Sequence, residues 1–274
     1  MPQKKKCIGV FDSGFGGLTI LRGLVKELPE YDYLYLGDSA RAPYGSRSQE
    51  TIYAFTKQAV DFLFAHDCEL IILACNTASS KALRRIQQEH LPQFHPGKKV
   101  LGVIIPAAEA ATQKSVGQKI GVIATEATIA SQAFVRELQK LDPSITVFQN
   151  PCPLLVPIIE AGEHHSDITN TLLQKYLAPL LKKKIDTLVL GCTHYEILKQ
   201  KIQTIVGENV TVISESSVVA KKLRAYLVRH PEIEQQLEKK GRRHFYSTDR
   251  TEKFTRLGSQ FFGTTITVRQ AHIN

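Results

Sequence analysis

The sequence has few cysteines and no long apolar run, and both shortages narrow the class of protein. Five cysteines are spread over 274 residues, an odd number without the dense spacing of a disulfide framework. The uncharged stretch 144–159 contains three prolines and is shorter than the roughly 18–20 apolar residues that a membrane-spanning helix needs. The sequence therefore predicts free thiols in a reducing compartment and no transmembrane helix.

The sequence also lacks the patterns of several common sites and signals. Because it has no CxxC pair and no HExxH helix, we expect no metal site. Neither GxxxxGK[ST] nor GxSxG occurs, and the glycines of 14–17 lack the third glycine of GxGxxG, which argues against a nucleotide-cradling loop and a serine hydrolase. The first residues do not contain the apolar stretch of roughly 7–15 residues found in secretory signals, so we expect a cytoplasmic protein.

Acidic residues are fewer than basic ones, most of all in the segment 221–256. The chain has 35 Lys and Arg against 26 Asp and Glu, a formal charge of +9. A basic surface attracts nucleic acid, anionic lipid or an acidic small molecule. No RNA-binding aromatic pair or zinc-finger spacing accompanies the basic segment, so a solvated helical face is the simpler interpretation. Nucleic-acid binding by 221–256 stays open as an alternative.

Strand-like and helix-like patterns alternate along the chain. Short apolar runs such as 7–11 and 70–74 are each followed by apolar residues at helical spacing. This order predicts an α/β fold made of two pseudo-symmetric, doubly wound domains. The segment 91–99, with two prolines and a glycine, is the best candidate linker and places a domain boundary near residue 99.

Two predicted strands end in the same way, each with a cysteine. The segments 70–77 (LIILACNT) and 187–194 (TLVLGCTH) place Cys75 and Cys192 directly after an apolar strand and before a helix start. Ligands of α/β folds bind at this edge of the sheet, and a helix N-terminus lowers a thiol pKa. We therefore predict that both thiols are functional. The other three cysteines are interpreted as structural: Cys7, Cys68 and Cys152.

Two opposed thiols suggest proton transfer rather than redox exchange. They lie far apart in sequence without a CxxC motif, unlike thioredoxin-type oxidoreductases. A thiolate on one face of a carbon and a thiol on the other would invert a stereocentre. Asp12 and His194 are placed to assist the two thiols, although Asp12 also suits a helix N-cap. Short polar side chains at helix starts suit a substrate carboxylate or ammonium group: Ser13, Asn76, Thr77 and Thr193.

Four sequence blocks closely resemble the signature blocks of the cofactor-independent aspartate/glutamate racemase family. They are VFDSGFGGLTIL at 10–21, GDSARAPYG at 37–45, ACNTAS at 74–79 and LGCTHYEIL at 190–198. The two cysteine blocks together make the resemblance specific, and it extends over nearly the whole chain. Ser39 and Ala42 stand where the family often has Thr and Val, and both differences are mild.

The resemblance implies interconversion of L- and D-glutamate by two bases, without pyridoxal phosphate or another cofactor, to supply D-glutamate for peptidoglycan. It implies that Cys75 with Asp12 acts on the D-enantiomer. Cys192, with His194 and the supporting carboxylate Glu160, would act on the L-enantiomer. The implied substrate-binding residues are Asp12, Ser13, Tyr44, Gly45, Asn76, Thr77, Thr125, Thr128, Thr193 and His194.

The same resemblance implies two α/β domains that face each other across the active-site cleft. The first would comprise 1–99 with 213–274, and the second 100–212. We also expect a homodimer and a cleft that closes over the substrate. Racemisation of another amino acid, such as aspartate, is the alternative within the same chemistry, because one sequence does not rank the residues of the side-chain pocket.

Overall fold

The computed structural model describes residues 6–273, and its strands form two parallel sheets. A six-stranded sheet has the order β10-β9-β2-β1-β3-β4, and a four-stranded sheet has the order β6-β5-β7-β8. All strand pairs within these sheets are parallel, which confirms the predicted α/β class. The strands are β1 (Cys7–Asp12), β2 (Tyr33–Gly37), β3 (Cys68–Leu73), β4 (Lys99–Gly102), β5 (Lys119–Ala124), β6 (Thr146–Pro151), β7 (Thr187–Gly191), β8 (Thr211–Ile213), β9 (Arg243–Ser247) and β10 (Val268–Gln270).

Helices connect successive strands, as parallel pairing requires. They are α1 (Leu18–Glu27), α2 (Gln49–Ala65), α3 (Asn76–Lys81), α4 (Leu83–Arg85), α5 (Leu91–Phe94), α6 (Ile104–Lys114), α7 (Glu126–Ala130), α8 (Ala133–Leu141), α9 (Leu155–Glu160), α10 (Asp167–Lys182), α11 (Lys199–Val206), α12 (Glu215–Arg229), α13 (Pro231–Glu234) and α14 (Glu252–Phe262). Short 3₁₀ turns occupy Ser39–Arg41, Tyr44–Ser46 and Thr193–Leu198, and a π-helical turn spans Ile86–His90.

The central strands of both sheets are buried on their two faces. Every residue of β3 and of β7 is buried, as expected for apolar strands covered by helices on either side. β4 pairs with β3 in the six-stranded sheet, and β8 pairs with β7 in the four-stranded sheet. The chain therefore passes between the sheets after β4 and again after β8. The predicted division at residues 99 and 213 stays a prediction.

At three places the local structure differs in detail from the sequence pattern. Part of the candidate linker is helical, since α5 begins at Leu91. Pro92 lies in the first turn of this helix, where its missing N–H is tolerated. Cys68 is the buried first residue of β3, so this strand begins two residues before the apolar run 70–74. The helical segment after β5 is divided into α7 and α8 at Gln132, which has a left-handed backbone with φ 55°. Among residues 6–273, no helix combines the length and apolar character needed to cross a membrane.

Candidate active site

One cavity collects most of the residues predicted from the sequence. It has a volume of about 210 Å³ and is lined by residues that follow β1, β3, β5, β6 and β7, so both sheets contribute. Asp12 and Thr128 are the predicted site residues that do not line it, and both lie directly behind its wall. The predicted residues that line the cavity are Ser13, Tyr44, Gly45, Cys75, Asn76, Thr77, Thr125, Glu160, Cys192, Thr193 and His194.

Cys75 lies at the start of α3, as predicted. Its Sγ accepts from the backbone N–H of Ala78 at 3.5 Å and lies 3.4 Å from the Ser13 hydroxyl oxygen. Burial and the nearby negative charge of Asp12 nevertheless outweigh these hydrogen bonds and raise the Cys75 pKa to about 11. The N–H of Ala78 at the helix start acts in the predicted direction, but desolvation of the thiolate is the larger effect, so the net pKa of Cys75 is raised.

Cys192 has different surroundings. It precedes a 3₁₀ turn, Thr193–Leu198, rather than the predicted α-helix. Its Sγ lies 3.9 Å from Nδ1 of His194. Burial holds the Cys192 pKa well above its ordinary value, although the backbone N–H of His194 acts in the opposite direction. The raised pKa values keep both thiols protonated at neutral pH, and each requires a neighbouring group to ionise it.

His194 links Cys192 to a carboxylate. Its Nε2 lies 3.1 Å from Oε1 of Glu160, and its ring packs against Phe15 and Phe261 at centroid distances of 5.2 and 5.7 Å. Burial alone would raise the Glu160 pKa, but the hydrogen bond and charge of His194 lower it below its ordinary value. An ionised Glu160 therefore orients the imidazole toward Cys192, the arrangement by which carboxylates fix catalytic histidines.

Asp12 lies at the end of β1 and is fully buried. Its carboxylate accepts from the backbone N–H of Gly14 at 3.0 Å and from the Thr193 hydroxyl at 3.3 Å. Burial raises the Asp12 pKa even though His194 and these donors lower it. Its hydrogen bond with Thr193 reaches the residue that directly follows Cys192, while its negative charge raises the pKa of Cys75.

Hydroxyl groups from both sheets meet beside Cys75. The Thr77 hydroxyl lies 2.9 Å from that of Thr125 and 3.4 Å from that of Thr128. The buried Tyr44 donates its hydroxyl to Asp38 at 2.5 Å, which leaves its ring and the adjacent Gly45 against the cavity. These groups provide several donors near one side of the cavity, as binding of a carboxylate requires.

Sequence reasoning missed the partner of Asn76. The side-chain amide of Asn76 donates to Oε2 of Glu215 at 2.7 Å, and both residues are buried. Burial raises the Glu215 pKa well above its ordinary value. The sequence contains no signal for this contact, because the two residues are 139 positions apart and Glu215 begins a helix in which it resembles an ordinary first-turn acid.

The glycines after β1 allow the second cysteine block to approach the first. A Cβ on Gly16 would lie 2.5 Å from both His194 Nδ1 and Thr193 Oγ1, and one on Gly17 would lie 2.6 Å from Asp12 Cβ. Only a residue without a side chain fits at such distances.

Cys152, interpreted from the sequence as structural, also lines the cavity. Burial raises its pKa.

Comparison with known proteins gives consistent matches over the chain. The model of the Asp/Glu/Hydantoin racemase family matches residues 8–223. A glutamate racemase from Geobacter metallireducens is 38% identical over 259 residues, which cover 94% of this chain and 93% of that protein. A glutamate racemase from Chlorobaculum tepidum is 40% identical over 268 residues, 96% of each chain.

Solved structures give the same result. A glutamate racemase isoform from Bacillus anthracis superposes with a TM-score of 0.90 at 34% identity and covers 98% of both chains. A glutamate racemase from Francisella tularensis, solved in complex with D-glutamate, superposes with a TM-score of 0.88 at 36% identity and equal coverage.

Proposed function

The chain belongs to the Asp/Glu/Hydantoin racemase family, and from this premise we propose that it interconverts L-glutamate and D-glutamate without a cofactor. The observation that carries the proposal is the pair of buried thiols on one cavity, each at the end of a central strand and each with its own polar partners. Relatives with 38–40% identity are named glutamate racemases. The D-glutamate complex of the Francisella relative supports an amino-acid ligand in this cavity.

The proposed reaction moves two protons on opposite faces of Cα. With D-glutamate bound, the Cys75 thiolate removes the α-proton and becomes a thiol. The electron pair left on Cα then takes the proton of the Cys192 thiol from the opposite face, which forms L-glutamate and leaves Cys192 as a thiolate. The reverse direction exchanges the two roles. Inversion therefore needs no group other than these two sulfur atoms to contact Cα.

The partners of each thiol set its protonation state. His194 takes the proton of Cys192 when L-glutamate is deprotonated, and Glu160 stabilises the imidazolium that results. On the other side Asp12, whose pKa is raised by burial, takes the proton of the Cys75 thiol and returns it. Ser13 stabilises the Cys75 thiolate through its hydroxyl. Positioned donors of this kind also stabilise the charge that develops on the substrate.

The substrate carboxylates bind in this proposal to hydroxyl and amide donors from both sheets. Thr77 and Thr125 contact one another across the cavity, and Asn76 is held in place by Glu215. Tyr44 and Gly45 lie on the same wall, while Ser13 and Thr193 lie next to the thiols. Thr128 supports Thr125 through a 3.0 Å hydrogen bond rather than lining the cavity itself.

Incubation with L-glutamate in deuterated water, without added cofactor, tests the proposal. Loss of optical activity should accompany incorporation of deuterium at Cα, because each inversion replaces the α-proton with one from a solvent-exchanged thiol. L-Aspartate is tested for comparison under the same conditions and should react far more slowly. Absence of exchange with glutamate, or exchange only after addition of pyridoxal phosphate, would contradict the proposal, and faster turnover of aspartate would assign the other substrate.

The product gives the enzyme its proposed place in the cell. D-Glutamate made in this way would be used in peptidoglycan synthesis, as the family resemblance implies. We further propose that the enzyme acts in the cytoplasm and as a homodimer. Sedimentation of the full chain at several concentrations tests the dimer, and a monomer throughout would contradict it.

A further inference from the structure

A second cluster of chemically competent side chains lies outside the cavity. Oδ1 of Asp61 lies 2.6 Å from Nε2 of His90 and 2.6 Å from Nε2 of His95. The three ligand atoms lie within 4.8 Å of one another. Two imidazole nitrogens and one carboxylate oxygen converging in this way are the donor set that divalent zinc and its neighbours prefer. We propose that Asp61, His90 and His95 bind one divalent transition-metal ion of the Zn²⁺ type.

The three ligands come from elements that the fold brings together. Asp61 lies on α2, His90 ends the π-helical turn Ile86–His90, and His95 directly follows α5. The π-helical turn widens the helical spiral before Pro92, so that two histidines five positions apart present their Nε2 atoms to the same oxygen. π-Helical turns of this kind are frequent at functional sites.

The histidine rings are held in place by packing. His90 is 3% exposed, and its ring packs on that of Phe94 at a centroid distance of 4.9 Å. The His95 ring packs on Phe64 at 4.6 Å. Fixed rings reduce the conformational entropy that metal binding must overcome.

The carboxylate side of the cluster is open to water. The Asp61 side chain is 36% exposed, so a water molecule completes a four-coordinate shell of the open type. Asp61 Oδ2 contacts Lys57 Nζ at 3.3 Å, which leaves Oδ1 as the metal ligand. With metal–ligand distances of about 2.0–2.2 Å, tetrahedral geometry requires ligand atoms roughly 3.3 Å apart, so binding separates the present 2.6 Å contacts by a small movement.

No sequence motif indicates this site, and the prediction of no metal site rested on the absence of CxxC and HExxH. The ligands are separated by 29 and 34 positions from Asp61, a spacing without a local motif. A bound ion would join α2 to the segment 90–95. Its role is therefore structural in this proposal and does not depend on the racemase reaction.

Titration of the chelator-treated protein with Co²⁺ tests the proposal. We expect one Co²⁺ per chain, with the visible bands of a tetrahedral nitrogen and oxygen site and without a thiolate charge-transfer band, and displacement of the cobalt by Zn²⁺. The missing thiolate band excludes Cys75, Cys192 and the other cysteines as ligands. Asp61→Asn and His95→Gln should each weaken Co²⁺ binding by at least about 10–100-fold. This is the loss seen when only a residue that supports a metal ligand is changed, and these variants change the ligands themselves.

The variant His66→Gln is the matched control, because His66 is an exposed histidine at the end of α2 outside the cluster. It should bind cobalt as the wild type does. Added Zn²⁺ should raise the Tm of the wild type and of His66→Gln but not that of His95→Gln, and glutamate turnover should be similar in all three. If Asp61→Asn does not fold, His95→Gln decides the test. No binding, a thiolate spectrum, or binding that survives the loss of His95 would overturn the proposal.

Discussion

At Cys75 and Cys192 the same side chain meets two different environments. Ser13 and a helix start surround the first sulfur, whereas a histidine held by a carboxylate stands beside the second. Burial raises the pKa of both thiols. In the proposed mechanism the partners of the two thiols therefore deliver and remove protons by different routes, although the groups that contact Cα are chemically identical.

Replacement of either thiol should abolish racemisation. Serine is nearly isosteric with cysteine but is far less acidic, so Cys75→Ser and Cys192→Ser each lose one of the two proton-transfer groups. We expect turnover to fall by at least about 10²–10⁴-fold, the usual contribution of a general acid or base. Polarimetry with L- and D-glutamate measures the loss. The control is Cys7→Ser, which lies outside the cavity and should retain activity. Full activity in either cavity variant would refute the two-thiol mechanism.

The buried thiol of Cys75 should also contribute to the pH dependence of stability. Its pKa is raised from 9.0 to about 11 by burial and by Asp12. A raised pKa means that the folded state binds more protons than the unfolded state between these values, so stability is retained below pH 9.0 and lost as pH rises toward 11. We expect the free energy of unfolding to fall by about 2–3 kcal/mol over this window because of this group.

Urea unfolding at several pH values measures this loss. Cys75→Ala has no thiol to ionise at this position, so its free energy of unfolding should fall less steeply between pH 9 and 11 than that of the wild type. The same comparison for Cys7→Ala, whose pKa is lowered by its contact with Cys68 rather than raised, is the control. Equal slopes for the wild type and Cys75→Ala would contradict the expectation.

At the scale of elements, the loop between β1 and α1 brings the two cysteine blocks together. Gly16 leaves room for both His194 and Thr193, which a Cβ would approach to 2.5 Å. Gly16→Ala should therefore displace His194 from Cys192, lower turnover by an order of magnitude or more, and reduce stability by about 1–3 kcal/mol, as overpacking does. Turnover with both enantiomers and urea unfolding measure the two effects. An active, stable Gly16→Ala variant would show that the contact is dispensable.

The elements that carry the cysteines were also the ones that the sequence predicted best. Continuous apolar runs identified β3 and β7, and the polar residues after them identified the cavity edge, because strand ends in parallel sheets converge. Contacts between distant elements were not predictable in the same way. Asn76 meets Glu215, and Asp61 meets His95, only because of how helices pack. The direction of the thiol pKa shifts was also missed, since burial depends on the whole fold.

On the scale of the whole molecule, the basic excess of 221–256 is distributed over several elements and partly neutralised. Ion pairs join Lys222 to Glu109, Arg224 to Glu27 and Arg242 to Asp32. Such pairing leaves less free charge than the sequence count suggests. A nucleic-acid-binding role stays a prediction, and the absence of DNA binding at low salt would remove it, because phosphate contacts are strongest there.

The cavity between the two sheets should close further when the substrate binds. An α-proton is far less acidic than a thiol, so the proposed reaction needs excluded water and donors fixed around the substrate. Thr77, in the helix after β3, already contacts Thr125, which follows β5 of the other sheet, and a bound glutamate would add contacts to both sides. At a D-glutamate concentration of 100 times its Kd, hydrogen exchange that requires opening of the cavity should slow by roughly 100-fold.

Hydrogen exchange followed by mass spectrometry measures this change. Amides around Tyr44–Ser46 and at the start of α7 line or adjoin the cavity and should become protected. Amides of 230–242, which do not line the cavity, provide the internal control. Those that exchange through local opening should exchange at the same rate with and without D-glutamate. The variant Cys75→Ser, which retains the other cavity groups, should show the same protection without turnover, because closure depends on binding rather than on proton transfer. Identical exchange at the cavity with and without D-glutamate would show that the two sheets do not move together over the substrate.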